Sequence, residues 1–346
     1  MPEITNANFV MFFEESYGGI YTYLNNNCDH TSLIISSKYF SGSSFCGNLK
    51  VVSFFSLECF SLLFNDSVAL NLHGLFSPLF LIYFFMLRIL QPNAKINVYP
   101  HGALYPSVLS SSRKFEKRLW LKIFEMFLIE GSEFICLSSD EEMNLLRIFK
   151  RARCSIQKTS YKPVVSSSMF FNLQTRKSFL AIRNFVILAR YSPEKQIYET
   201  ISSFNKVDLP FIRLKVYGSI AFNPLYFSKC ASLVSELKDS RVHLYDFASG
   251  TELSNVLFDC YCGIVYSQKE NFSFSLIDFV SSSSLVISND NVGATSLFSG
   301  NSLFVLEHTN TYGLLAEVIS RVALLPSNEF KSYTSSAYSE FLNFQK

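Results

Sequence analysis

Glu270-Asn271-Phe272-Ser273-Phe274-Ser275-Leu276-Ile277-Asp278 sets two carboxylates eight residues apart. The apolar run Gly263-Ile264-Val265-Tyr266 precedes it and Leu285-Val286-Ile287 follows. This order predicts a strand, a short loop carrying Glu270, a helix starting near Ser273, and another strand. Such a spacing is a little over two helical turns, so Glu270 at the mouth and Asp278 on the helix can face one side. A loop entering a helix N-terminus also offers free backbone N–H groups and a positive dipole, which suit a phosphate. One edge can therefore hold hydroxyls by carboxylate and phosphates by helix end, as a sugar nucleotide requires.

Outward from this stretch, the second half of the chain opens on Phe185-Val186-Ile187-Leu188-Ala189, followed by Arg190-Tyr191-Ser192-Pro193-Glu194-Lys195. Arg presents a planar fork to phosphate oxygens and Lys a point charge. Leu214-Lys215-Val216-Tyr217-Gly218 reads as the next strand with its closing glycine. Val242-His243-Leu244 and residues 259–266 continue the alternation expected of a parallel sheet.

In the first half, residues 9–13 read as a strand and 14–20 as the turn into a helix. Gly18-Gly19 in that turn allows close backbone approach to a ligand. Residues 33–35 and 51–55 supply further strands. Residues 68–72 then end in His73-Gly74-Leu75-Phe76-Ser77-Pro78, with a helix expected over 79–90. Residues 96–99 end in Pro100-His101-Gly102-Ala103-Leu104-Tyr105-Pro106. Twice, then, an apolar strand closes on His-Gly. Ligands of open α/β sheets gather at the carboxyl ends of strands, so His73 and His101 are both expected to point into a cleft. Ser138, followed by Asp140, Glu141 and Glu142, caps the next helix. Pro163 and three serines mark a linker over 161–168.

Together these segments resemble retaining glycosyltransferases of family 4. The acidic stretch is similar to the family's E-x7-E segment, with Asp278 in place of the second Glu. Asn271 and Ser273 stand where glycines commonly flank the Phe. Arg190 and Lys195 match its R-x4-K segment, Gly18-Gly19 its Gly-Gly loop, and Ser138 with Glu141 its S-x-x-E pattern. The segments at 73–78 and 100–106 resemble members that build bacterial surface polysaccharides. Ser283, Leu285 and Ser296 replace a common Gly, Pro and Glu.

The resemblance implies an α/β protein of the GT-B fold, with Rossmann-like, doubly wound domains facing across a cleft. Residues 1–160 would form the acceptor side and 161–328 the nucleotide-sugar donor side, with a helix over 329–346 packing back across both. It implies retaining transfer of a sugar from a UDP- or GDP-type donor to a lipid-linked or saccharide hydroxyl. The setting would be assembly of O-antigen, capsule or exopolysaccharide. Arg190 and Lys195 would hold the leaving diphosphate, Glu270 the donor sugar and Asp278 the ribose. Gly18, Gly19, Gly218, Phe272 and Ser273 would complete the donor site. His101 would lie near the transferred sugar, and His73 on the acceptor side. No cofactor and no metal are expected, because fixed cations can neutralise the leaving group. The alternatives are another sugar-nucleotide enzyme on this fold, or a non-catalytic partner subunit of a glycosyltransferase complex.

Composition agrees with this class. A chain of 346 residues suggests two domains, and 36 Phe and 18 Tyr give ample material to bury. A formal charge of only +2 argues against a nucleic-acid partner. Eight cysteines without a C-x2-C pair read as reduced thiols. The apolar run 79–87 is broken by Arg88 and falls short of the about 20 residues needed to span a bilayer, so a cytoplasmic protein is expected. Two basic clusters stand out. One is Arg113, Lys114, Lys117, Arg118 and Lys122, with Leu119, Trp120 and Ile123 expected on the opposite helix side. The other is Arg147, Lys150, Arg151, Arg153, Lys158 and Lys162. They are either solvated helix faces or a salt-sensitive peripheral contact with anionic lipid at the inner face of the plasma membrane, at about 1 kcal/mol per cation.

Overall fold

The computed structural model describes residues 4–10, 19–29, 31–36, 44–46, 49–65, 67–110, 114–157, 165–299, 302–307 and 312–345. Backbone contacts divide the chain into two compact units, one of residues 1–14 and 20–160, the other of 15–19 and 161–346. Gly18, Arg113, Lys158, Lys162 and the first half of the expected linker, 161–164, lie outside the described residues.

The first unit contains β1 (Asn6–Val10), β2 (Ser32–Ser36), β3 (Ser44–Cys46), β4 (Leu49–Ser53), β5 (Ala69–His73), β6 (Ile96–Tyr99), β7 (Ser132–Cys136) and β8 (Arg153–Ile156). They form one sheet in the order β3-β4-β2-β1-β5-β6-β7-β8, parallel except for β3. The chain thus moves outward from β1 in one direction and returns to start beside it at β5, which makes the β1/β5 boundary a topological switch point. The first strand begins three residues earlier than its apolar run suggests, because the polar Asn6 and Asn8 also join the ladder. The helix Pro78–Leu90 starts with Pro at its first turn, where the missing N–H costs nothing, and Gln91 closes it before Pro92.

The second unit contains β9 (Arg183–Leu188), β10 (Ile212–Tyr217), β11 (Val242–Tyr245), β12 (Cys260–Val265), β13 (Leu285–Asn289) and β14 (Phe304–Leu306). The order is β11-β10-β9-β12-β13-β14, all parallel, with the switch point between β9 and β12. Every residue of β12 and β13 is buried, as expected of parallel strands covered on both faces.

Packing fixes the acidic helix Phe274–Ser281 in this unit. A Cβ on Gly263 of β12 would fall 2.1 Å from the Phe279 ring, so the helix lies against the strand only because glycine is there. Just beyond the C-terminal end of the helix Lys177 is fully buried. Its ammonium donates to Leu257 O (2.7 Å), Ser282 O (2.5 Å) and Ser284 Oγ (2.9 Å). One cation thus satisfies carbonyls at the C-terminal ends of Gly250–Asp259 and Phe274–Ser281, where the dipole favours positive charge. The C-terminal helix Ser327–Gln345 covers the same region of its unit, with Tyr338 stacked on Phe170 at 3.8 Å and Phe344 against Phe272.

Candidate functional site

The switch point of the second unit brings the cationic and acidic segments together. The loop after β9 carries Arg190 and Lys195, and the loop after β12 carries Glu270. Gln268 N donates to Glu194 O at 2.8 Å, tying the loops by their backbones. Lys195 Nζ donates to Glu270 Oε2 in an ion pair, with the side chains 13% and 22% exposed. Arg190 lies with its guanidinium 4.5 Å from the Phe222 ring centroid. Burial, and then the neighbouring Arg190 charge, lower the Lys195 ammonium to about 7, while Glu194 works the other way. The Glu270 contact also favours the cation, so this lysine is held between opposing fields. Burial likewise lowers Arg190. Two desolvated cations share this place with the carboxylates of Glu194 and Glu270, and a diphosphate could take over the contact that Lys195 now makes with Glu270.

The Glu270 loop is rigidly seated. Glu270 N donates to Asn291 O (3.0 Å) and Gly293 N to Glu270 O (2.9 Å). A side chain at Gly293 would meet Asn271 O at 1.8 Å, so glycine is needed for this approach. A Cβ on Gly218 would similarly fall 2.0 Å from Ala189 O, next to Arg190. Ser273 caps the acidic helix in the left-handed region (φ 64°), and Ser283 beyond it does the same (φ 59°). Both positions keep the backbone that a glycine would adopt with less strain. Asp278 is only 8% exposed, so it is not a solvated face residue. The Phe272 ring is buried with Phe274 and Phe344 and belongs to the core. A ligand at Phe272 would have only its backbone to use.

In the first unit the two His-Gly segments follow neighbouring strands, and their imidazoles meet. His73 Nδ1 and His101 Nε2 are 2.9 Å apart, and His73 Nε2 lies 3.1 Å from Asn8 Oδ1. Tyr99 stacks on His73 (4.5 Å between centroids), and Tyr23 meets His101 edge-on. Burial keeps both imidazoles neutral, His73 well below its ordinary range with help from His101, and His101 down to about 3. His101 has φ 49°, an uncommon backbone for a side chain of this size. Gly102 follows at φ 79°, and its N–H donates to Glu141 Oε1 at 2.5 Å. Glu141 Oε2 accepts from Leu137 N at 2.9 Å, and Glu141 N donates to the capping Ser138 Oγ at 3.2 Å. Glu141, expected only as a helix-capping acid, therefore anchors the turn that presents His101. Gly19 begins the helix Gly19–Asn27. Among the described residues no group of three or more His, Cys, Asp and Glu could hold a metal ion.

The basic helix Lys114–Phe127 corrects one expectation. Trp120 is buried, but Leu119 is half exposed and shares its outward stripe with Phe115, Arg118, Lys122 and Met126. The adjoining helix Pro78–Leu90 exposes Ile82, Phe85, Met86 and Ile89, with Phe85 against Phe127 at 5.1 Å. No described helix is long and apolar enough to cross a membrane.

No protein-family model and no curated protein matches the chain. Solved structures do, over nearly its whole length. Sucrose-phosphate synthase from Thermosynechococcus elongatus is similar at TM-score 0.77 and 13% identity, covering 99% of this chain and 95% of that one. HepE of Anabaena, in complex with UDP and glucose, is similar at 0.74 and 12% (99% and 97% covered). A glycosyltransferase from Rickettsia africae is similar at 0.73 and 15% (100% and 95% covered). The chain has the GT-B fold of these glycosyltransferases.

Proposed function

We propose that the protein is a retaining glycosyltransferase that uses a nucleotide diphosphate sugar, of UDP or GDP type. The observation that carries this reading is the Lys195–Glu270 pair beside Arg190, where two loops are tied at a sheet switch point. In the reaction the bond from the anomeric carbon to the β-phosphate oxygen breaks, and its electrons leave with the diphosphate. The acceptor oxygen bonds that carbon, and its proton passes to the departing phosphate or to water. Arg190 and Lys195 neutralise the charge that develops on the diphosphate, so a metal is not required for that task. Glu270 exchanges its contact with Lys195 for sugar hydroxyls, Asp278 serves the ribose, and His101 lies on the sugar and acceptor side. HepE is described in complex with UDP-glucose, which makes a UDP-sugar the first donor to try. Family 4 and a role in surface polysaccharide assembly belong to the same proposal and rest on the sequence resemblance.

The test is a panel of UDP- and GDP-sugars scored by thermal shift and by hydrolysis. A matching donor at a hundred times its dissociation constant adds about 2.7 kcal/mol of stability. No shift and no hydrolysis with any member would refute the donor assignment.

A peripheral contact with anionic membrane is part of the proposal, in a modified form. The basic stripe of Lys114–Phe127 is interleaved with exposed Phe115, Leu119 and Met126, so attraction should be joined by apolar insertion. In flotation with phosphatidylglycerol vesicles, binding should weaken but persist between 0.1 and 1 M salt, and Phe115→Ser should remove the salt-resistant part. Complete release at 1 M would show that charge alone holds the protein, and no flotation at all would refute the contact.

A further inference from the structure

Three apolar strands carry an asparagine at one level of the sheet. Asn8 of β1 is the register partner of Asn71 of β5, which is the partner of Asn97 of β6. Asn97 Nδ2 donates to Asn71 Oδ1 (2.9 Å), and Asn71 Nδ2 donates to Asn8 Oδ1 (3.0 Å). With its own Nδ2 buried and unpartnered, Asn8 turns one end of its amide to both Asn71 Nδ2 and His73 Nε2. It is the carbonyl oxygen, which can only accept.

We infer that Asn8 and His73 are positioning residues that set the tautomer of His101, so that His101 offers a bare Nδ1 and recognises a hydroxyl donor rather than a phosphate oxygen. A neutral imidazole has one N–H. Asn8 Oδ1 takes the N–H of His73 Nε2, which leaves His73 Nδ1 without a proton. That nitrogen can then only accept from His101 Nε2–H, 2.9 Å away. The proton of His101 is committed, and its Nδ1 carries the free lone pair. Among the described residues no partner for that nitrogen is found. The strained backbone at His101 supports the same idea independently. A glycine would fit φ 49° at lower cost, yet an imidazole stands there. A hydroxyl of a sugar or an acceptor can donate to this nitrogen; a diphosphate cannot.

The inference rests on the glycosyltransferase reading for its substrate but not for its tautomers. The ring nitrogens can be observed directly by long-range nitrogen–proton NMR on the full-length protein. It has five histidines, assigned by His73→Gln and His101→Gln. Both His73 and His101 should be protonated at Nε2 and bare at Nδ1, unchanged from pH 5 to 8. A proton on Nδ1 of His101, as a reversed amide chain would give, overturns the inference. So does an imidazolium at pH 6.

The second arm is kinetic. Asn8→Leu should lose on the order of tenfold to a hundredfold in turnover while the dissociation constant of the donor holds. Asn8→Asp keeps the acceptor, so it should retain the tautomer and most activity but add a histidine-like ionisation to the pH profile. Wild-type turnover in folded Asn8→Leu would overturn the relay. If the glycosyltransferase reading itself were wrong, Lys195 and Arg190 variants would also behave normally, while the ring nitrogens would still read as stated.

Discussion

Lys195→Ala should lower single-turnover sugar transfer by roughly a hundred- to thousandfold, or about 2.7–4 kcal/mol of transition-state stabilisation. As the glycosidic bond breaks, negative charge gathers on the leaving oxygen. A cation held in place acts more strongly on that charge than on the bound donor, so the loss falls on rate more than on affinity. The fold should tolerate the change. Burial and Arg190 already work against the Lys195 charge, and the pair with Glu270 offsets only part of that. The melting temperature should stay within about 4 °C of wild type. Arg190→Lys should also be slow, because one ammonium cannot reproduce a two-pronged contact.

The same site gives a pH dependence with a definite sign. An ammonium lowered to about 7 in the free protein is increasingly deprotonated above that pH. A bound diphosphate favours the charged form, so donor binding takes up a proton there. Donor affinity should fall as pH rises from 7 toward 9, and Lys195→Ala should flatten that fall. Titration calorimetry in two buffers of different ionisation enthalpy would detect the proton. Near-normal turnover in folded Lys195→Ala, with an unchanged pH slope, would remove the diphosphate site from this loop.

The legible parts of this molecule are those where function is written into neighbouring residues. The strand, loop and helix around Glu270 could be read because apolar runs and breakers alternate there, and parallel strands put their following loops on one edge. The departures from the family pattern misled more than they informed. Ser273 and Ser283 read as lost glycines, yet both hold the left-handed backbone. Ser283 Oγ donates to Phe170 O at 2.7 Å, a contact that a glycine could not make. The Phe272 ring packs in the core, because the C-terminal helix delivers Phe344 to it from 72 positions further along.

The parts that stayed hidden depend on pairing across strands. Asn8, Asn71 and Asn97 are 63 and 26 residues apart, and only the register makes them neighbours. A visible signal existed: each is an asparagine two residues ahead of the end of an apolar strand. Lys177 had no signal. Nothing in its local sequence tells that two helix ends converge on its ammonium.

Glu141 belongs with these, and its removal should be the most damaging to stability. The carboxylate is 1% exposed and accepts from two backbone N–H groups, Gly102 and Leu137. Truncation to Ala leaves both donors buried without a partner, and bonds to a charged acceptor contribute about 1.5–3 kcal/mol each. Glu141→Ala should therefore cost about 3–5 kcal/mol in urea unfolding and about 10 °C in melting temperature. Glu141→Gln should cost less, since its carbonyl can keep one of the contacts while its NH2 group opposes the other N–H. Activity separates anchoring from simple stability. Gly102 follows His101 directly, so freeing its N–H loosens the turn that holds His101 in its left-handed conformation. Turnover measured well below the melting transition should then fall in both variants, with donor affinity preserved, because the proposed diphosphate contacts are assigned to the other unit. A Glu141→Ala protein within 1 kcal/mol of wild type would mean that water or a rearranged backbone satisfies those donors and that the turn does not depend on this carboxylate.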